Sequence, residues 1–133
     1  MHVIVGLGLS GPYKSEQAFK RDWISKMQER CYPGAQYFQI ETEETEPGFP
    51  DVMVLNFRNN ASFYEFKITD TRRNFEMQKT QPRFYITHPS MNTSVLVWDV
   101  VTHKAYSFTQ DEIKEACLAS GSLKLNVGDI TDE

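Results

Sequence analysis

Asp51 and Glu65 are the two residues of this chain whose spacing most plainly asks for chemistry. Thirteen residues lie between them. That segment reads as a β-hairpin: Val52 to Phe57 is a β-prone run, Arg58-Asn59-Asn60-Ala61 is polar turn material, and Ser62 to Ile68 is a second extended run. Antiparallel pairing sets the two carboxylates side by side at one end of a sheet. Neighbouring carboxylates repel, and a cation between them relieves the repulsion. Oxygen ligands of this kind suit Mg²⁺ or Mn²⁺. Lys67 stands two residues past Glu65, so strand alternation places it on the same face. Two anionic ligands and one ammonium group are what metal-assisted cleavage of a phosphodiester requires.

The elements that must hold these groups are legible. Residues 2–9 are apolar and read as a short strand or extended arm, broken by Gly11-Pro12. Ser15 is a good N-cap for a helix running to about Arg30, with Phe19, Trp23 and Met27 at four-residue spacing. On that helix, positions 16, 23 and 27 fall within about 20° of one another, which brings Glu16 near the packed stripe. A carboxylate there needs a partner, because burying a lone charge is costly. The metal pole is one candidate; a wet first-turn glutamate serving the helix dipole is the other. Gln36 to Thr42 reads as the first sheet strand, followed by an acidic loop through Gly48-Phe49. After the hairpin, a basic linker leads to a second helix within 76–88, closed by His88-Pro89. Ser94 to Val101 is strongly β, Ala105 to Phe108 pairs back, and Thr109-Gln110-Asp111-Glu112 opens a last helix to about Ala119. The expected division is an N-terminal arm over 1–14, one domain over 15–119, and a loosely held tail over 120–133. Helix, three strands, helix, two strands, helix is the order of a small α/β sandwich.

A chain of 133 residues suits one domain with a single modest core. Its 40% hydrophobic and 13% aromatic content supports folding rather than disorder. The net charge of −4 argues against indiscriminate binding to nucleic acid. The average hides an asymmetry. Glu41, Glu43, Glu44, Glu46 and Asp51 form an acidic stretch without bases, whereas Arg72, Arg73, Lys79 and Arg83 face only Glu76. The first helix adds Lys14, Lys20, Arg21, Lys26 and Arg30. An acidic pole flanked by basic segments suits a phosphodiester; solvated helix faces explain each basic cluster equally well. Cys31 and Cys117 are too few for a disulfide framework. No apolar run approaches the roughly 20 residues of a membrane helix, and the N-terminus lacks a basic secretory leader. The expectation is a reduced cytoplasmic protein without membrane contact.

Gly48-Phe49-Pro50-Asp51, Glu65-Phe66-Lys67 and Gln81-Pro82-Arg83-Phe84, in that order, resemble the PD-(D/E)xK nuclease superfamily. The resemblance runs from about Ser15 to Phe108. It is strongest to the small single-domain branch near the VRR-NUC and Holliday-junction-resolvase-like proteins common in phages and prophages. It implies a restriction-endonuclease-like αβββαβ sandwich with a mixed central sheet, here with an extra C-terminal helix. It also implies that Asp51, Glu65 and the backbone carbonyl of Phe66 bind Mg²⁺ or Mn²⁺. Lys67 would then orient the attacking water or steady charge on the phosphate, Glu16 would assist, and Gln81 would contact the scissile backbone. Pro82 is awkward in a helix interior because it removes a backbone donor, so Gln78 is the alternative glutamine. The implied substrate is DNA rather than RNA. A homodimer, and a protein partner supplying targeting, are both compatible with so small and acidic a domain.

Three other readings compete. Asp51 could be a turn residue, with Glu65 and Lys67 an exposed pair on one strand face. A nuclease-like fold could serve as a non-catalytic interaction module through its acidic surface. Gly6-Leu7-Gly8-Leu9-Ser10-Gly11 after Val3-Ile4-Val5, with Glu41 beyond the next strand, matches the dinucleotide fingerprint and would take NAD or FAD. Pro12 crowds that turn, and a cofactor there leaves the paired carboxylates unexplained.

Overall fold

The computed structural model describes residues 1–30, 33–40 and 47–130. The acidic residues Glu41, Glu43, Glu44 and Glu46, together with Cys31, lie outside the described residues. The elements in chain order are β1 (His2–Ile4), α1 (Glu16–Arg30), β2 (Gln36–Gln39), β3 (Val52–Leu55), β4 (Ala61–Thr69), β5 (Asn74–Glu76), α2 (Thr80–Thr87), β6 (Thr93–Asp99), β7 (Lys104–Thr109), α3 (Gln110–Ser120), β8 (Lys124–Asn126) and α4 (Val127–Ile130). Six strands form a mixed sheet in the order β1-β7-β6-β4-β3-β2, in which only β4 and β6 run parallel.

Strand alternation divides the core in two. Val95 and Val97 of β6 join Phe84 and Tyr85 of α2 and Ile113 of α3 on one side of the sheet. Leu96 and Trp98 of the same strand join α1 on the other. Helix α1 begins where the Ser15 hydroxyl accepts the Ala18 N–H at 3.1 Å. It buries Phe19, Trp23 and Met27 at four-residue intervals, the stripe its sequence shows. The Trp23 ring lies 4.5 Å from Tyr64 and 5.3 Å from Phe66, centre to centre, which fastens α1 over the β3–β4 hairpin. Helix α3 starts with a capping box between Thr109 and Glu112 and ends at Gly121 with φ of 67°.

One expectation needs correction, and one competing reading finds no support in the fold. Residues 122–130 are not a loose tail. β8 pairs antiparallel with β5, Asn126 Nδ2 donates to the Arg72 carbonyl at 2.8 Å, and Leu125 and Val127 are buried in the core. Three-residue strands held from fifty residues away leave no local signature, so neither was readable. The glycine-rich segment is not a phosphate-binding turn either. β1 is an edge strand antiparallel to β7, and α1 starts only at Glu16, so no helix N-terminus opens at the glycines. Gly11, at φ of 60°, is instead required because a Cβ there would collide with the Trp98 ring.

Truncating Leu125 to Ala should lower the free energy of unfolding by about 2–4 kcal/mol in urea denaturation. An unchanged midpoint would show that the segment after Gly121 does not contribute to the core.

Candidate active site

The site is built where β4 outruns β3. Register pairs Val52 with Tyr64, which sets Asp51 opposite Glu65, and there β3 has already ended while β4 continues to Thr69. Amides on that overhanging edge need acceptors. Carboxylates supply them: the Phe66 N–H donates to Asp51 Oδ2 at 3.2 Å, and the Ile68 N–H donates to Glu16. An extended residue projects its N–H and C=O to the same edge, so the Phe66 carbonyl faces this side as well. Glu16, the first residue of α1, is exposed overall, while its carboxyl end reaches the cavity beside Asp51. Burial of that end raises its pKa, Lys67 draws it down, and Asp51 pushes it up.

Glu65 and Lys67 point together into the interior, 4% and 6% exposed, with Lys67 Nζ 3.9 Å from Glu65 Oε2. Burial above all, and then the Asp51 charge, push the Glu65 carboxyl up to about 9. Attraction to Lys67, across a distance too long for a hydrogen bond, does not offset them. Hydrogen bonding between the two carboxyls adds to the rise, so Glu65 keeps a proton at neutral pH that it shares with Asp51. Gln81 opposes the shift by donating to Glu65, while its own Oε1 accepts the Gln78 N–H at 2.8 Å.

That arrangement removes the objection to Gln81. Pro82 is the third residue of α2, in the first turn, where backbone N–H groups have no helical partner to lose. Gln81 and the exposed Gln78 both border the cavity.

The cavity measures about 480 Å³ and is bordered by Glu16, Asp51, Glu65, Lys67, Gln78 and Gln81. Residues 47–49 and Thr80 complete its wall. Gly48, at φ of 90°, lets that loop lie on α2, since a Cβ would strike the Thr80 carbonyl. A second cavity of about 440 Å³ shares Glu16 and Asp51 and continues past Ser15, Gln17, Lys20 and Phe66. The five side chains singled out from the sequence therefore surround one cleft. Sequence reasoning passed over Thr80 and Gln17, polar surface residues with no motif to mark them, and marked Lys20 only as one member of a basic cluster.

Among the described residues, no three His, Cys, Asp or Glu side chains converge as a complete metal cage. Mg²⁺ does not need one: it is usually held by one or two carboxylates, with waters and substrate oxygens filling the remaining positions. Two carboxylates crowded around one proton, with a backbone carbonyl beside them, fit that demand.

The mixed sheet with its four helices has the restriction-endonuclease-like fold. The chain is similar in structure to the Holliday junction resolvase Hjc of the archaeal hyperthermophile Archaeoglobus fulgidus, solved at 1.6 Å, with a TM-score of 0.51. The two share 13% identity over 74% of this chain and 79% of that one, a likeness of fold. No family model and no curated protein sequence matches the chain. Among the described residues, no helix is long and apolar enough to cross a membrane.

Because folding raises the Glu65 pKa from 4.5 to about 9, the metal-free folded state holds an extra proton across that interval. Its contribution to stability is complete below about pH 4.5 and is lost as pH rises through about 9. The melting temperature of metal-free protein should therefore decline between pH 5 and 9 more steeply than that of Glu65→Gln. Parallel pH profiles would refute the shared proton.

Proposed function

We propose that this chain is a divalent-metal-dependent nuclease of the PD-(D/E)xK kind that hydrolyses phosphodiester bonds of DNA. The observation that carries the reading is the Asp51–Glu65 pair, apposed across two strands with Lys67 beside it in an open cleft. Likeness of fold to a Holliday junction resolvase supports it. Asp51, Glu65 and the Phe66 carbonyl would hold Mg²⁺ or Mn²⁺, which when bound polarises the scissile phosphate and acidifies a water.

The chain's own groups do the rest. Lys67, fixed on the face of Glu65, orients the attacking water and balances charge on the phosphate. Glu16 enters from the opposite wall, where its carboxyl can accept a hydrogen bond from that water. Gln81, whose amide is engaged by Glu65, holds that ligand in place, and Gln78 is the glutamine that meets the nucleic-acid backbone. The second cavity beyond Asp51, with Lys20 on its rim, gives the strand a path past the site. Symmetric cutting of a branched junction needs two such sites, hence a homodimer.

Labelled linear, single-stranded and four-way-junction DNA, with RNA as a comparison, should be cut in Mn²⁺ and spared in EDTA. Asp51→Asn, Glu65→Gln and Lys67→Ala should each reduce the rate about 100-fold or more while keeping the melting temperature of a folded protein. Full activity in any variant would remove that residue from the mechanism. No cutting of any substrate, with no stabilisation by Mn²⁺, would leave the fold as a non-catalytic interaction module.

A further inference from the structure

Tyr85 carries a polar atom that the fold does not use. Its side chain is 1% exposed, and its hydroxyl has no hydrogen-bond partner among the described residues. A buried donor left unsatisfied is costly, and phenylalanine would fill the same space without that cost.

The position of the ring supplies a reason. Tyr85 lies one turn beyond Gln81 on α2, and residues four apart share a helix face. Gln81 borders the same cavity as Glu65, so this face of α2 is turned toward the site. Tyr85 packs in the same cluster as Val95 and Val97, which the parallel register places beside Glu65 and Lys67. Burial above all raises the pKa of its hydroxyl, and Glu65, Asp51 and Cys117 add to the rise, so the hydroxyl lies within electrostatic reach of the paired carboxyls.

We propose that Tyr85 is a positioning residue, whose O–H donates to the Glu65 carboxylate, directly or through one buried water, when Asp51 and Glu65 hold a divalent ion. The inference rests on the metal-site reading above. Without metal, Glu65 is satisfied by Asp51 and Gln81 and the phenol is idle. When it ligates a metal, Glu65 presents acceptor sites that a single metal bond does not fill. Outer partners of this kind orient metal-ligating carboxylates.

Tyr85→Phe removes the hydroxyl alone. Thr93→Val is the control, because Thr93 is also buried with an unpartnered hydroxyl but stands on β6 opposite Phe63, two residues short of the Val95 that pairs with Glu65. Melting temperature without metal and the Kd for Mn²⁺ by calorimetric titration decide the matter. Tyr85→Phe should melt at or above the wild-type temperature yet bind Mn²⁺ about tenfold more weakly. Thr93→Val should leave the Kd unchanged. An unchanged Kd in Tyr85→Phe, a lowered metal-free melting temperature, or equal weakening in Thr93→Val would overturn the assignment. Absence of Mn²⁺ binding by the wild type would instead overturn the metal site itself, and the role of Tyr85 with it.

Discussion

A strand that continues after its neighbour has stopped is the constraint on which this structure turns. Backbone amides at the end of β4 cannot be left without acceptors in a partly buried position. With β3 ended at Val52, the chain satisfies them with side-chain carboxylates, from Asp51 on the preceding turn and Glu16 on α1. The functional groups therefore serve the sheet as well as the chemistry. The same requirement draws α1 toward the sheet end and fixes where its first residue lies.

Placement of charge inside the fold follows from that geometry. Glu65 and Lys67 sit on the face of β4 covered by α2, where each ion alone would be strongly disfavoured. Proximity to each other and to Asp51 leaves a group that is tolerable but strained, with one proton too many for its carboxylates to be fully charged. Such frustration is common where a protein holds acid–base groups ready for a ligand. Elsewhere two of the basic residues are held by acids: Lys26 pairs with Asp22, and Arg73 with the fully buried Asp99 at 2.8 Å.

Much of the site could be read before the fold was known. Alternation on two strands with a polar turn between them is a local pattern, and it placed Asp51 against Glu65 and Lys67 beside Glu65. Phe19, Trp23 and Met27 declared the buried face of α1 in the same way. Features that depend on contacts across the chain were not legible. Pro82 reads as an obstacle until the start of α2 at Thr80 is known. Gly11 reads as a turn for a phosphate until the Trp98 ring is seen against it. Tyr85 counts as one more core aromatic, since no pattern in sequence reveals that a hydroxyl lacks a partner. The pairing of β5 with β8 has no local periodicity at all.

The parallel contact between β4 and β6 has a consequence for the order in which the molecule forms. Phe63 pairs with Thr93 and Thr69 with Asp99, so each rung closes a loop of thirty residues, whereas the β3–β4 hairpin closes within its own turn. Loop closure of that length lags local pairing. A nascent chain that has emerged through β4 already contains Asp51, Glu65 and Lys67, but on an open ribbon, wetted on both faces, where carboxylates ionise at ordinary pH. Only when β6 zips alongside and α2 packs over that face does water leave and the proton on Glu65 become held. The ligands are thus made early, and their reactivity is conferred late, by a helix and a strand that follow them in the chain.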